Sequence, residues 1–188
     1  MKRSLDIVLS LAALLLLSPL LLLAALAVLL DSGSPVLFRQ TRLGLGGREF
    51  GMFKFRSMRR DAASVGPYFT QDNDVRITRV GRFIRRTSID ELPQIFNVLK
   101  GDMSLVGPRP DVPAQRSLYS AAQWAERCSV RPGITGLAQV VNRSGGTDAE
   151  RLALDLHYVR SIKRSFGILL DAKIMTMTFG RLTGKGAN

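Results

Sequence analysis

Residues 7–30 read IVLSLAALLLLSPLLLLAALAVLL. Only Ser10, Ser18 and Pro19 interrupt the aliphatic run, which exceeds the roughly 20 apolar residues a helix needs to cross the hydrocarbon core. The segment belongs in a membrane. Pro19 has no N–H to give the carbonyl of Leu15, and its ring crowds that carbonyl, so a helix through Ser18-Pro19 must kink or break. The Ser18 hydroxyl can soften the cost by bonding back to the carbonyl of Leu14. A kinked, spanning helix is one reading, because membrane helices tolerate proline when the freed groups find local partners. Flanking charge argues for another. Lys2 and Arg3 precede the run, and Arg39, Arg42, Arg48, Lys54, Arg56, Arg59 and Arg60 follow it. Both ends therefore favour the cytoplasmic side, which a re-entrant helix broken at Ser18-Pro19 satisfies and a spanning helix does not. A cleaved signal peptide fits less well: the run is too long for an h-region, and no polar stretch precedes Ala25-Leu26-Ala27.

Beyond this segment the pattern predicts an α+β, mainly helical unit. Residues 1–34 form the membrane helix and 35–188 an interfacial globular domain, a division that suits a chain of 188 residues. Val36–Gln40 and Glu49–Ser57 read as strands of a short β-hairpin around Gly44-Leu45-Gly46-Gly47. Met58–Asp74 reads as a polar loop. Arg76–Arg86 is basic, with Ile77, Val80, Phe83 and Ile84 at helical spacing. Ser88-Ile89-Asp90-Glu91 has the spacing of a capping box, opening a helix to Lys100 in which Pro93 delays the regular part. Gly107-Pro108-Arg109-Pro110 and Arg131-Pro132-Gly133-Ile134-Thr135-Gly136 read as rigid loops, with a helical pattern from Val112 to Cys128 between them. Helices resume near Asp148. The last carries Ile168, Ala172, Met175, Phe179 and Leu182 on one face, either core or interfacial.

Lys and Arg number 27 against 15 Asp and Glu, a formal net charge of +12. Such a surface attracts nucleic acid, acidic headgroups or phosphorylated substrates. No zinc-finger spacing, aromatic RNA-binding signature or helix-turn-helix accompanies the charge, which argues against nucleic acid. Cys128 is the only cysteine and His157 the only histidine, so an intrachain disulfide and the usual zinc sites are excluded. A membrane-anchored scaffold without catalysis is the stronger rival to an enzyme.

Several segments, in order, resemble the monotopic phosphoglycosyl transferases, also called bacterial sugar transferases. They are Lys2-Arg3 with Asp6, Ser18-Pro19, Lys54-Phe55-Arg56-Ser57-Met58, Arg76-Ile77-Thr78-Arg79, Asp90-Glu91-Leu92-Pro93-Gln94, Phe96 to Ser104, Val106-Gly107-Pro108-Arg109-Pro110, and Arg131 to Gly136. The resemblance is to the minimal catalytic form. It implies a helix that enters and leaves one leaflet, interfacial amphipathic helices, and an active site at the cytoplasmic face of the bacterial inner membrane. It also implies a UDP-sugar donor, undecaprenyl phosphate as acceptor, magnesium as cofactor and release of UMP. His157, Leu137 and Val141 stand where relatives usually carry tyrosine, tryptophan and asparagine, departures that bear on the choice of sugar.

The resemblance makes Asp90 the nucleophile and Glu91 its partner and metal ligand. A carboxylate can attack the phosphorus next to the sugar and form a covalent intermediate, with magnesium and arginines offsetting the repulsion between anions. From the Ser-x-x-Glu spacing alone the two acids read equally well as first-turn residues of a helix. Arg85, Arg109, Arg131 and Arg143 are the candidate phosphate ligands, since guanidinium presents paired donors to phosphate oxygens. Flanking prolines single out Arg109, and Pro132-Gly133 does much the same for Arg131. Asp155 matches a family acid that supports the metal. His157 reads as an ordinary packed or surface residue.

Overall fold

The computed structural model describes residues 1–62, 65, 74–142, 146–163 and 167–182. Helix α1 (Lys2–Ser32) keeps its helical conformation through Ser18-Pro19, where the sequence predicts a kink or break. The Ser18 hydroxyl donates to the carbonyl of Leu15 at 2.9 Å, not to that of Leu14. Leu15 is the residue whose carbonyl Pro19 cannot serve, whereas helical geometry aims the Leu14 carbonyl at Ser18's own N–H. The Ser-Pro pair thus repairs its own defect. The helix stops at Gly33, which takes φ 77° and donates its N–H to Leu29 at 2.8 Å.

The two ends of α1 rest on the globular part and its middle does not. Asp6, Ser10, Ala24 and Val28 are buried, but no residue from Leu11 to Leu23 is. At the N-terminal end Asp6 accepts from the Ser104 hydroxyl at 2.8 Å and the Leu105 N–H, Arg3 donates to the carbonyls of Val98 and Leu99, and Lys2 pairs with Asp171. At the other end Arg56 donates to the Ser32 carbonyl at 2.9 Å, and Ala24 and Val28 pack with Phe55 and Ile84.

Strands β1 (Leu37–Leu43) and β2 (Glu49–Phe55) form the expected antiparallel hairpin, Leu37 opposite Phe55 and Leu43 opposite Glu49, with a 3₁₀ turn at its tip. Thr78 caps helix α2 (Arg79–Arg86), so Arg76 lies before it, paired with Asp74. Helix α3 (Gln94–Lys100) begins just past Pro93 and ends at Gly101 in the left-handed region. Asn97, fully buried, joins α3 to the hairpin by accepting from the Phe53 N–H and donating to the Gly51 carbonyl.

Strand β3 (Ser104–Val106) pairs in parallel with β4 (Gly133–Thr135). Between them, the single helix expected over Val112–Cys128 is two pieces: a 3₁₀ stretch at Pro113–Leu118 and helix α4 (Ala121–Arg127), started by a Ser120–Gln123 capping box. Helices α5 (Leu137–Val141), α6 (Asp148–Ile162) and α7 (Gly167–Leu182) complete the order. Val106, Val140, Tyr158, Val159 and Ile174 form their shared core. The apolar stripe of α7 faces outward: Ile174 is buried, while Ile168, Leu169, Met175 and Phe179 are exposed. Leu170 and Met177, off the predicted stripe, complete its packed side. Most of the predicted Met58–Asp74 loop lies outside the described residues.

Candidate active site

Asp90 and Glu91 share one 3₁₀ turn, Ile89–Glu91, between α2 and α3. Ser88 leads into it at φ 57°, a left-handed conformation that costs a non-glycine residue about 1 kcal/mol or more. The expected capping box does not form. A cap hydroxyl reaches the turn's N–H groups from extended backbone; left-handed Ser88 makes no side-chain cap, and its carbonyl accepts the Glu91 N–H at 3.2 Å. The Glu91 carboxylate turns instead to two cations. Lys54 Nζ donates to Oε1 at 2.7 Å, and Arg109 Nη2 donates to the same oxygen at 3.0 Å.

These neighbours give two adjacent carboxylates opposite characters. Asp90 is 7% exposed. Its burial pushes the carboxyl above its ordinary range; Lys54 opposes this, the Glu91 charge adds to it, and Arg85 and Arg109 oppose it. Burial pushes Glu91 up too, yet Arg109 and Lys54 outweigh it by charge and hydrogen bonds and hold the group at about 2. Lys54, drawn down by burial, is supported by Glu91. Carboxylates whose environments drive them apart are the usual basis for dividing chemical roles. Among the described residues no cluster of three or more His, Cys, Asp or Glu forms a metal cage. A magnesium ion needs only one or two carboxylates when waters and substrate phosphates complete its shell. Glu91 Oε2 and the Asp90 carboxylate fit that donor set, since both cations bond Oε1 of Glu91.

Arg109 is delivered by two loops packed backbone against backbone. A Cβ on Gly133 would lie 2.1 Å from the Gly107 nitrogen, and one on Gly136 2.2 Å from the Gly107 oxygen. Only glycine permits this approach. The Gly-Pro-Arg-Pro and Arg-Pro-Gly segments, which read as separate rigid loops in the sequence, are therefore one unit.

The other candidates are dispersed. Arg85, half-buried in the last turn of α2, stands close enough for its charge to bear on Asp90. Arg131 donates to the Gly101 carbonyl at 2.8 Å, just past the C-terminal end of α3. Arg143 lies outside the described residues. Asp155, expected near the metal, is buried in an ion pair with Arg127. Arg127 also binds Asp111, whose other oxygen takes Arg151. Desolvation makes a guanidinium a better partner than water for so enclosed a carboxylate. His157 is exposed.

The sequence assigns no role to Lys54, although it lies in one of the segments carrying the resemblance. A signal was present: a lysine within the apolar strand Glu49–Phe55 becomes buried only with an anionic partner. Arg127 carries no such signal, because Asp111 and Asp155 stand 16 and 28 residues away.

Residues 1–185 match the family model described as bacterial sugar transferase. The exopolysaccharide production protein PSS of Rhizobium leguminosarum bv. phaseoli is 45% identical over 199 residues, covering 99% of this chain and 98% of that protein. The UDP-glucose:undecaprenyl-phosphate glucose-1-phosphate transferase of Caulobacter vibrioides is 48% identical over 186 residues, 94% of this chain and 67% of that protein. The undecaprenyl-phosphate glucose phosphotransferase of Komagataeibacter xylinus is 47% identical over 191 residues, 96% of this chain but 35% of that protein. The chain thus spans about two thirds of the Caulobacter protein and about a third of the Komagataeibacter one. With the carboxylate turn and both proline-glycine loops inside the matched region, the chain belongs to the bacterial sugar transferase family.

Proposed function

We propose that the chain is a membrane phosphoglycosyl transferase that moves a sugar phosphate from a UDP-sugar to undecaprenyl phosphate, giving a polyprenyl diphosphate sugar and UMP. The observation that carries this reading is desolvated Asp90 beside a Glu91 held anionic by Lys54 and Arg109. The names of the Caulobacter and Komagataeibacter relatives supply the substrate class. In the first step a carboxylate oxygen of Asp90 attacks the phosphorus bearing the sugar. The bond from that phosphorus to the bridging oxygen breaks, and its electron pair leaves with UMP. A phosphate oxygen of undecaprenyl phosphate then attacks the same phosphorus, and the aspartyl P–O bond breaks to restore Asp90. Arg109, Lys54 and Arg85 offset the repulsion between the attacking carboxylate and the diphosphate. Glu91, with Asp90, would hold magnesium, which supplies charge neutralisation on the phosphates when bound.

The reaction belongs at the cytoplasmic face of the bacterial inner membrane, as the first membrane step of glycoconjugate synthesis. Leu15, Leu16, Leu22, Leu23 and Leu30 of α1 point outward, and Phe83, Leu169 and Phe179 of α2 and α7 are also exposed. Apolar surface on this scale fits lipid contact. Both ends of α1 bind one folded body, which supports a re-entrant rather than a spanning helix.

The covalent route is tested without acceptor. Protein in nanodiscs, given a panel of UDP-sugars, should release about one equivalent of UMP per active site and retain the sugar phosphate, detected by intact-protein mass spectrometry and mapped to Asp90. Asp90→Asn should abolish both the burst and turnover. Near-normal turnover by Asp90→Asn would exclude the covalent route and favour direct attack by the lipid phosphate.

A further inference from the structure

Four consecutive carbonyls in the loop that bears Arg109 each accept a hydrogen bond from another segment. Pro108 accepts from the Gly133 N–H at 3.0 Å, and Asp111 from the Leu43 N–H at 2.9 Å. Pro110 accepts from Arg42 Nη1 at 2.9 Å. Arg109 accepts from Arg127 Nη2 at 2.7 Å. Two prolines have already fixed much of this loop, so the four bonds hold its backbone while the Arg109 side chain reaches out to Glu91. Of the two donors that are side chains, Arg42 is half-buried and Arg127 is buried. Arg127 is 4% exposed, its Nε bonds Asp155 at 2.9 Å, its Nη1 bonds Asp111, and its guanidinium lies 5.4 Å from the Tyr119 ring centroid.

We propose that Arg127 is a positioning residue for the transfer reaction: locked by Asp111 and Asp155, it holds the Arg109 carbonyl and so aims the Arg109 guanidinium at Glu91 and the donor diphosphate. Each edge of the planar fork meets a different partner, a division that a lysine ammonium cannot reproduce. Two buried carboxylates shared between Arg127 and the half-buried Arg151 make an expensive arrangement if its only product is stability, since apolar residues of similar volume commonly serve as well. The carbonyl bond to Arg109 is what an apolar replacement could not supply. Asp155, in this arrangement, serves the active site through Arg127 and not through a metal.

The inference rests on the reading of Arg109 as a ligand of the donor phosphates, and a double-mutant cycle keeps the two separable. The probe is UDP, which carries the diphosphate without a sugar ester to react, and the measurement is its dissociation constant with full-length protein in nanodiscs. Arg109→Ala should weaken UDP binding at least about ten-fold. Arg127→Lys should weaken it about ten-fold with Arg109 present and less than about two-fold in the Arg109→Ala background. Equal loss in both backgrounds would mean that Arg127 acts on the fold at large, and no loss in either would mean that it does nothing here; each overturns the proposal. Binding indifferent to Arg109→Ala overturns the reading of Arg109 first, and the proposal with it. If Arg127→Lys does not fold, Asp155→Asn, which keeps shape and removes one charge, carries the same cycle. It should lose a few-fold in UDP binding only when Arg109 is present, with the half-activating magnesium concentration unchanged. A large rise in that concentration would return Asp155 to the metal and overturn the proposal.

Discussion

Lys54 touches the chemistry of both carboxylates at once. Its ammonium bonds Glu91 Oε1 and its charge opposes the upward push of burial on Asp90. Removing a cation raises the pKa of a nearby carboxylate, so Lys54→Met should move Asp90 and Glu91 upward together. Glu91, now held at about 2 against an ordinary 4.5, would lose one of its two counter-charges. The acid limb of kcat/KM should therefore shift to higher pH, and an unmoved limb would show that Lys54 is not coupled to the reacting groups. The same depression has a consequence for stability. A carboxylate whose pKa falls on folding stabilises the native state above its unfolded pKa. Glu91's share should be complete above about pH 4.5 and fade as pH falls toward 2, read as a loss of thermal midpoint that Glu91→Gln removes. Arg109→Lys keeps the charge but loses the planar fork, and should lower kcat/KM about ten-fold or more; full activity would remove Arg109 from the site. The resemblance singled out Asp90 and Glu91, the flanking prolines singled out Arg109, and the structure brings the three together. Arg127 was not legible in the sequence, because its meaning arises only when Asp111 and Asp155 are brought to it.

Among the elements, α1 was the most legible in extent and the least in detail. Length and composition locate it, but the proline does not break it, because Ser18 bonds the one carbonyl that Pro19 leaves without a partner. This makes a prediction at the level of the helix. In apolar surroundings an unpaired carbonyl costs roughly 1–3 kcal/mol, so Ser18→Ala should lower the thermal midpoint in nanodiscs. In a Pro19→Ala background residue 19 regains its N–H and can serve Leu15, so Ser18→Ala should then be nearly silent. Equal costs in both backgrounds would show that the hydroxyl acts elsewhere. Helix α7 shows a different limit. Its apolar face was read correctly as a stripe, but sequence could not say whether protein or lipid would meet it. The structure turns Ile168, Met175 and Phe179 outward because Asp171 on the other side pairs with Lys2 and accepts from the Tyr158 hydroxyl at 2.8 Å. The region between Val112 and Cys128 was helical in pattern yet divided, since Ser120 with Gln123 starts a new helix.

At the scale of the whole molecule, what matters is that one folded body holds both ends of a helix long enough to cross a bilayer. Asp6 reaches Ser104 and Leu105 at one end, and Arg56 reaches Ser32 at the other. Arg3, at the first end, also bonds the Val98 and Leu99 carbonyls of α3, and Asn97 ties α3 to β2, the strand that leads into Arg56. If α1 spanned the membrane, one of these contact sets would have to come apart, leaving Asp6 or Arg56 without its partner in an apolar setting, at a cost of several kcal/mol. We therefore expect residues 4 and 34 on the same side. Ser4 and Ser34 are both exposed, so cysteines there would be open to reagent once it has access. With the buried Cys128 replaced by alanine, Ser4→Cys and Ser34→Cys should be equally protected from an impermeant maleimide in intact cells and equally labelled in inverted vesicles. Labelling of one position alone in intact cells would establish a spanning helix and undo the re-entrant reading, while leaving the carboxylate site untouched. Pro19→Ala restores the missing backbone N–H and should favour spanning, exposing a fraction of one end. Should that fraction be zero, the tethers at Asp6 and Arg56 suffice, and breaking them with Asp6→Ala and Arg56→Ala should release it.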